Sequence, residues 1–132
     1  MGKTIEEIRS RFYNELKNSD LSKEIKGRIF EEYRENGSTA EDVVFYDFGV
    51  NDSSLQEAFF ILNIYVPDIH NGTEFKKDKD RCSHLTRVAW DVLDNMNLGD
   101  FAVQIEKQSS FTVQDVNNNQ HGIRFELTIN QF

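Results

Sequence analysis

The reading turns on residues 42–66, DVVFYDFGVNDSSLQEAFFILNIYV. The first nine alternate: Val44, Tyr46, Phe48 and Val50 point one way, and Val43, Phe45 and Asp47 the other, the period of a strand. Residues 51–54, Asn-Asp-Ser-Ser, are turn formers, so the chain folds back as a hairpin. The return strand, residues 57–66, is apolar on both faces before Pro67 ends it. Phe60, Leu62, Ile64 and Val66 supply one face; Phe59, Ile61 and Tyr65 supply the other. A sheet covered by helices on one side needs one apolar face per strand. The surplus, placed on Val43, Phe45, Phe59, Ile61 and Tyr65, marks a candidate interface with another chain.

Outward from the hairpin, Thr4 and Glu7 have capping-box spacing, and Ile5, Ile8, Phe12 and Leu16 share a helical face. Asn18-Ser19-Asp20 breaks that helix; residues 21–26 allow one further turn, and residues 28–34 read as a strand. Residues 68–79 are polar, contain Asn71-Gly72 and read as a long surface loop. A second helix is expected over residues 80–95, with Cys82, Leu85, Ala89, Val92, Leu93 and Met96 on one face. Trp90 lies beside that stripe and joins the interface candidates. Three strands close the chain. Phe101, Val103 and Ile105 define the first, Phe111 and Val113 the second, and Ile123, Phe125, Leu127 and Ile129 the third. Residues 117–122 form the loop before the last strand. The expected architecture is one α+β domain over residues 1–132: a mostly antiparallel sheet of five to six strands, with two helices packed on one face.

The composition suits such a domain. The 132 residues are 38% hydrophobic, with 11 Phe, enough for one core. A net charge of −8 disfavours a nucleic-acid-binding surface, which needs clustered Lys and Arg. It is compatible with a wall along which DNA slides without sticking. The single cysteine, Cys82, has no internal partner for a disulfide. The first residues turn charged at once, unlike a signal peptide, and Glu6 stands where myristoylation needs Ser or Thr. The longest apolar run, residues 58–66, is far short of a membrane span.

The titratable residues do not assemble into a reaction centre. Cys82, His84, Asp78 and Asp80 are close in sequence, but two positions on a helix diverge by about 200°, so Cys82 and His84 do not share one ion. Ser83 and His84 are adjacent and diverge likewise. Pairs such as Glu6-Glu7 and Glu31-Glu32 read as solvated faces. There is no nucleophile elbow, phosphate loop or dinucleotide fingerprint. The expectation is therefore a protein that is not an enzyme and uses no cofactor or metal.

Three further stretches bear on function: Gly27-Arg28-Ile29-Phe30-Glu31-Glu32, Ser38-Thr39-Ala40-Glu41-Asp42-Val43-Val44, and Asn63-Ile64-Tyr65-Val66-Pro67-Asp68-Ile69. With the helix and strands that follow, they resemble small tail-terminator or head–tail completion proteins of tailed bacteriophages, especially those of phages and prophages of Bacteroides-like bacteria. The resemblance implies an α+β subunit of a homo-oligomeric ring, hexameric or larger, between the head connector and the tail. Such a subunit is made in the host cytoplasm and resides in the virion. Its partners are connector and tail proteins, and DNA passes its channel without specific binding. The resemblance carries no catalytic residue. Residues 51–56 and 68–79 are the loops expected to order on assembly. Two other readings remain open at this level. One is a small-molecule-binding or catalytic domain with a cavity lined by Phe48, Phe60 and Phe125; the other is an adaptor that binds protein without forming a ring.

Overall fold

A computed structural model describes residues 3–51, 55–113 and 119–132. Helix α1 (Ile5–Lys17) starts at the expected box: the Glu7 N–H donates to the Thr4 hydroxyl, and the Glu7 carboxylate accepts from the Thr4 N–H. The ambiguous segment after it is one helical turn, α2 (Asp20–Glu24). Strand β1 (Ile29–Glu31) is short and runs parallel to β2 (Val43–Val50). Strand β3 (Glu57–Pro67) returns antiparallel to β2. Residues 68–78 are not purely loop, because β4 (Ile69–His70) and β5 (Phe75–Lys76) pair across the Asn71-Gly72 turn as a separate small sheet. Helix α3 (Lys79–Asp94) is capped by Asp78, which accepts from the Arg81 N–H. Strands β6 (Phe101–Thr112) and β7 (Gln120–Gln131) complete the main sheet, whose order is β1-β2-β3-β7-β6.

The fold is α+β, a mostly antiparallel five-stranded sheet with one parallel pair, a second small sheet and, among the described residues, three helices. The helices cover one face. Ile8, Phe12 and Leu16 of α1, Leu21 of α2, and Cys82, Leu85, Ala89 and Leu93 of α3 form one buried cluster with the strand residues facing them. At its centre the Phe12 ring lies 5.1 Å from Phe45 and 5.0 Å from Phe60, offset and edge-on arrangements that aromatic quadrupoles favour.

Two bulges depart from simple alternation. In β2 the register shifts between Asp47 and Val50, where Gly49 adopts φ 106°. Val50 therefore faces Ala58 and packs against the core, rather than sharing a face with Val44 and Tyr46. In β6 the register shifts between Ile105 and Lys107. The two strands expected over residues 101–106 and 111–115 are consequently one strand to Thr112, with Ile105 toward the helices and Phe111 on the opposite face. Asp115 and residues 117–118 of the expected loop, like residues 52–54 of the hairpin turn and residues 1–2, lie outside the described residues, and Gln120, His121 and Gly122 of that loop already belong to β7.

Candidate interaction surface

The register of β2 against β3 decides which apolar residues remain for a partner. Val43 pairs with Ile64 and Phe45 with Leu62, so Val43 and Phe45 belong to the helix-covered face. Both are 0% exposed. They are core residues, not interface candidates, because the hairpin sets odd positions of β2 against even positions of β3. Ile61 does lie on the outer face, but it is nearly closed over between Tyr46 and Glu126 on the neighbouring strands. Tyr65 is half-buried. Trp90 is 40% exposed at the margin of α3, with its ring 5.8 Å from Phe125. Phe59, at 44%, is the exposed candidate on the outer face.

Around Tyr65 the outer face is covered by the chain's own side chains. The Arg34 guanidinium lies 3.7 Å above the Tyr65 ring, and its Nη2 donates to Gln120 Oε1 at 2.8 Å. Its Nη1, buried and without a hydrogen-bond partner among the described residues, shares the plane held over that ring. Phe111 meets Tyr65 edge-on at 5.8 Å, and the Arg124 guanidinium lies 4.9 Å from the Phe111 ring while Nε donates to Asn63 Oδ1. Phe111 has this space because its opposite residue is Gly122; a Cβ there would fall inside the Phe111 ring. Gly122→Ala is expected to destabilise the fold by about 1–3 kcal/mol through overpacking, measured by urea unfolding. The same change made on a Phe111→Ala background should cost far less; equal costs in the two backgrounds would show that the ring is not the obstacle.

The other end of the outer face is bare. Because β1 pairs only with residues Val43, Val44 and Phe45, the remainder of β2 has no strand neighbour on that edge among the described residues. Around that edge Tyr33, 79% exposed, and Tyr46 line a hollow of about 360 Å³ with Glu32 and with Arg9 and Asp47, which reach it from the helix-covered side. Tyr46 meets Phe48 edge-on at 5.7 Å, and the bulge sets Phe48, 70% exposed, opposite Phe59. Beside the hollow, Arg9 Nε donates to Asp47 Oδ2 at 2.8 Å, Nη2 contacts the same oxygen, and Nη1 reaches Glu6 at 2.9 Å. The hydrogen bond to Asp47 raises the guanidinium's already high pKa. Tyr46 and Phe48 thus lie on the outer face at the strand edge with Phe59 one strand inward, whereas the Arg9–Asp47 pair belongs to the helix-covered side of the same edge.

Sequence reasoning paired Phe59 with the wrong strand residues and left out Tyr33 and Phe48 as interface candidates. Gly49 was the available signal, since a glycine inside a strand marks a bulge. The proposed cavity of Phe48, Phe60 and Phe125 does not form: Phe60 and Phe125 are buried under the helices, and Phe48 projects from the opposite face.

The titratable candidates are dispersed. The Cys82 thiol points into the core and is pushed up by burial, while His84 Nε2 lies 2.8 Å from Glu24 Oε1 at the surface. His121 Nδ1 pairs with Asp68 at 2.7 Å, and His70 stacks edge-on with Phe75. Among the described residues no group of three or more His, Cys, Asp or Glu side chains is placed to hold a metal ion. No helix of the described residues is long and apolar enough to cross a membrane. No protein-family model matches the chain, and no curated protein matches it in sequence.

Proposed function

We propose that this protein is a structural subunit that self-associates, and that its place is the ring joining a phage head or connector to the tail. The observation that carries the association is the aromatic surface of Tyr33, Tyr46, Phe48 and Phe59 beside the unpaired part of β2. Tyr33, Phe48 and Phe59 are exposed and Tyr46 half-buried beside a stretch of β2 without a strand partner among the described residues, where the Gly49 N–H is taken up by Asp47 Oδ1. Apolar area next to a sheet edge is what an interface consumes. Around Tyr65 the outer face is covered by Arg34, Phe111 and Arg124, while Ile69 and Phe75 of the small sheet, Trp90 and Phe132 are exposed away from the β2 edge. The phage setting rests on the likeness of residues 27–32, 38–44 and 63–69 to tail-terminator and head–tail completion proteins. The acid excess accords with a channel that DNA traverses.

Phe48→Ser with Phe59→Ser tests the reading. Neither side chain is buried in the monomer, so the double variant should unfold within about 0.5 kcal/mol of the parent. Its association, followed by light scattering and native mass spectrometry over a concentration series, should be lost. A parent chain that stays monomeric both alone and with purified connector and tail proteins would overturn the proposal, as would a double variant that assembles as the parent does.

A further inference from the structure

The helix layer holds a feature of opposite sign to the chain as a whole. Between α3 and the second half of β6 runs a groove of about 350 Å³. Lys77, Lys79 and Arg87 line it, and no carboxylate does. Its neutral polar lining is Ser83, Thr86, Gln108 and Ser110, and Cys82 and Ile123 supply the apolar part. None of the three cations has an ion-pair partner among the described residues, although Arg9 and Arg81 elsewhere are held by carboxylates. Asp78, Asp68 and Glu41 are near enough to act on the Cys82 thiol, but Glu41 is committed to Arg81, Asp68 to His121 and Asp78 to the Arg81 N–H, and none lines the groove. The groove on the other flank of α3 shows the contrast: Glu15, Asp20, Glu24 and Asp91 line it with Lys23 as the cation. Helix stability does not account for the arrangement either, since Lys79 opens α3, where the helix dipole disfavours positive charge.

We propose that the α3–β6 groove is a binding site for the phosphate group of a small molecule. Arg87 offers a planar fork for two phosphate oxygens, Lys77 and Lys79 act as point charges, and the hydroxyls of Ser83 and Ser110 are short neutral donors. The bulge in β6 contributes directly. By shifting the phase after Ile105 it turns Gln108 and Ser110, rather than Lys107 and Ser109, toward α3. The site lies on the helix side of the sheet, away from the exposed aromatic rings, and does not depend on the assembly reading.

The test is a titration of isotope-labelled protein with inorganic phosphate at constant ionic strength and pH, with sodium acetate as the comparison, read by amide chemical shifts. Saturable shifts centred on Ser83, Thr86, Arg87, Gln108 and Ser110 are expected. Lys79→Gln with Arg87→Gln, both exposed positions, should weaken binding by about tenfold or more while leaving the remaining spectrum in place. Arg87→Lys should retain part of the affinity, because it keeps the charge and loses the fork. Shifts that do not saturate, that persist in the double glutamine variant, or that acetate reproduces equally would each overturn the assignment.

Discussion

Phe12→Ala is expected to destabilise the fold by about 3–5 kcal/mol, a large share of the about 5–15 kcal/mol that holds a typical domain together. Phe12 is fully buried. Its ring connects α1 to β2 through Phe45 and to β3 through Phe60, at 5.1 Å and 5.0 Å. Truncation removes the transfer free energy of a benzyl group and leaves a void between two strands whose backbones are fixed by their pairing. It also dissolves two ring contacts, each worth about 0.5–1.5 kcal/mol beyond burial. The measurement is urea denaturation followed by circular dichroism, in which the midpoint should fall without a change in slope. Phe12→Leu, which refills much of the void, should recover more than half of the loss. A loss below about 1 kcal/mol for the alanine variant would mean that α1 closes down on the sheet, and that Phe12 is not the keystone its ring contacts imply.

The second large effect belongs to Arg81→Met, expected to cost about 3 kcal/mol at neutral pH because it strands a carboxylate. Glu41 is 4% exposed. Its two oxygens accept from Arg81 Nε and Nη2, both at 2.8 Å, and Oε1 also accepts from the Lys26 N–H. Arg81 Nη2 donates as well to the Glu24 carbonyl, so one guanidinium ties α3 to the end of α2 and to the segment before β2. Burial pushes the Glu41 carboxyl upward, but the Arg81 and Lys26 hydrogen bonds together with their charges bring it below the ordinary carboxylate range. The native pKa is thus depressed relative to the unfolded chain. The stability this contributes is present above the unfolded pKa and is lost as pH falls through the folded one. In Arg81→Met the burial stays and the two Arg81 hydrogen bonds go, so the carboxyl moves upward. The variant's deficit should therefore be largest near neutral pH and shrink as acid protonates Glu41. Urea midpoints at a series of pH values would show this; a deficit constant from neutral to acid pH would assign the loss to packing of the Arg81 stem instead.

How far the sequence reached can be judged residue by residue. The alternation of Ile123, Phe125, Leu127 and Ile129 is uninterrupted, and all four face the helices. The Thr4–Glu7 box and the apolar stripe of α3 were equally legible, because local spacing fixes them. What could not be read was long-range or phase-breaking. The parallel placement of β1 beside β2 depends on the path of residues 32–42, and the insertion of β7 between β3 and β6 spans most of the chain. Val43 and Phe45 were assigned to the wrong face because the parity of a hairpin is decided by its turn geometry, not by the strands it joins. Val50 was placed on the wrong face, and residues 101–106 and 111–115 were read as two strands, for a related reason: bulges at Gly49 and after Ile105 shift the register while leaving the alternation of the letters intact. The groove cations escaped notice because Lys77 and Lys79 stood in a segment read as loop and Arg87 in a helix, and only the tertiary fold brings them together.

The position of β7 also governs how the molecule is acquired. It is the latest strand in sequence, yet it occupies the interior of the sheet, zipped on one side to residues 57–67 and on the other to residues 101–112. Until that segment is available, a growing chain holds β3 with one margin unoccupied, β6 with no strand partner among the described strands, and the helices without a finished floor. Closure then demands contacts between parts of the chain some 60 residues apart, which places the molecule among slow, late-committing folders rather than those that consolidate piece by piece. During that interval the oily stretch at residues 58–66 is the segment most in need of shelter by a chaperone.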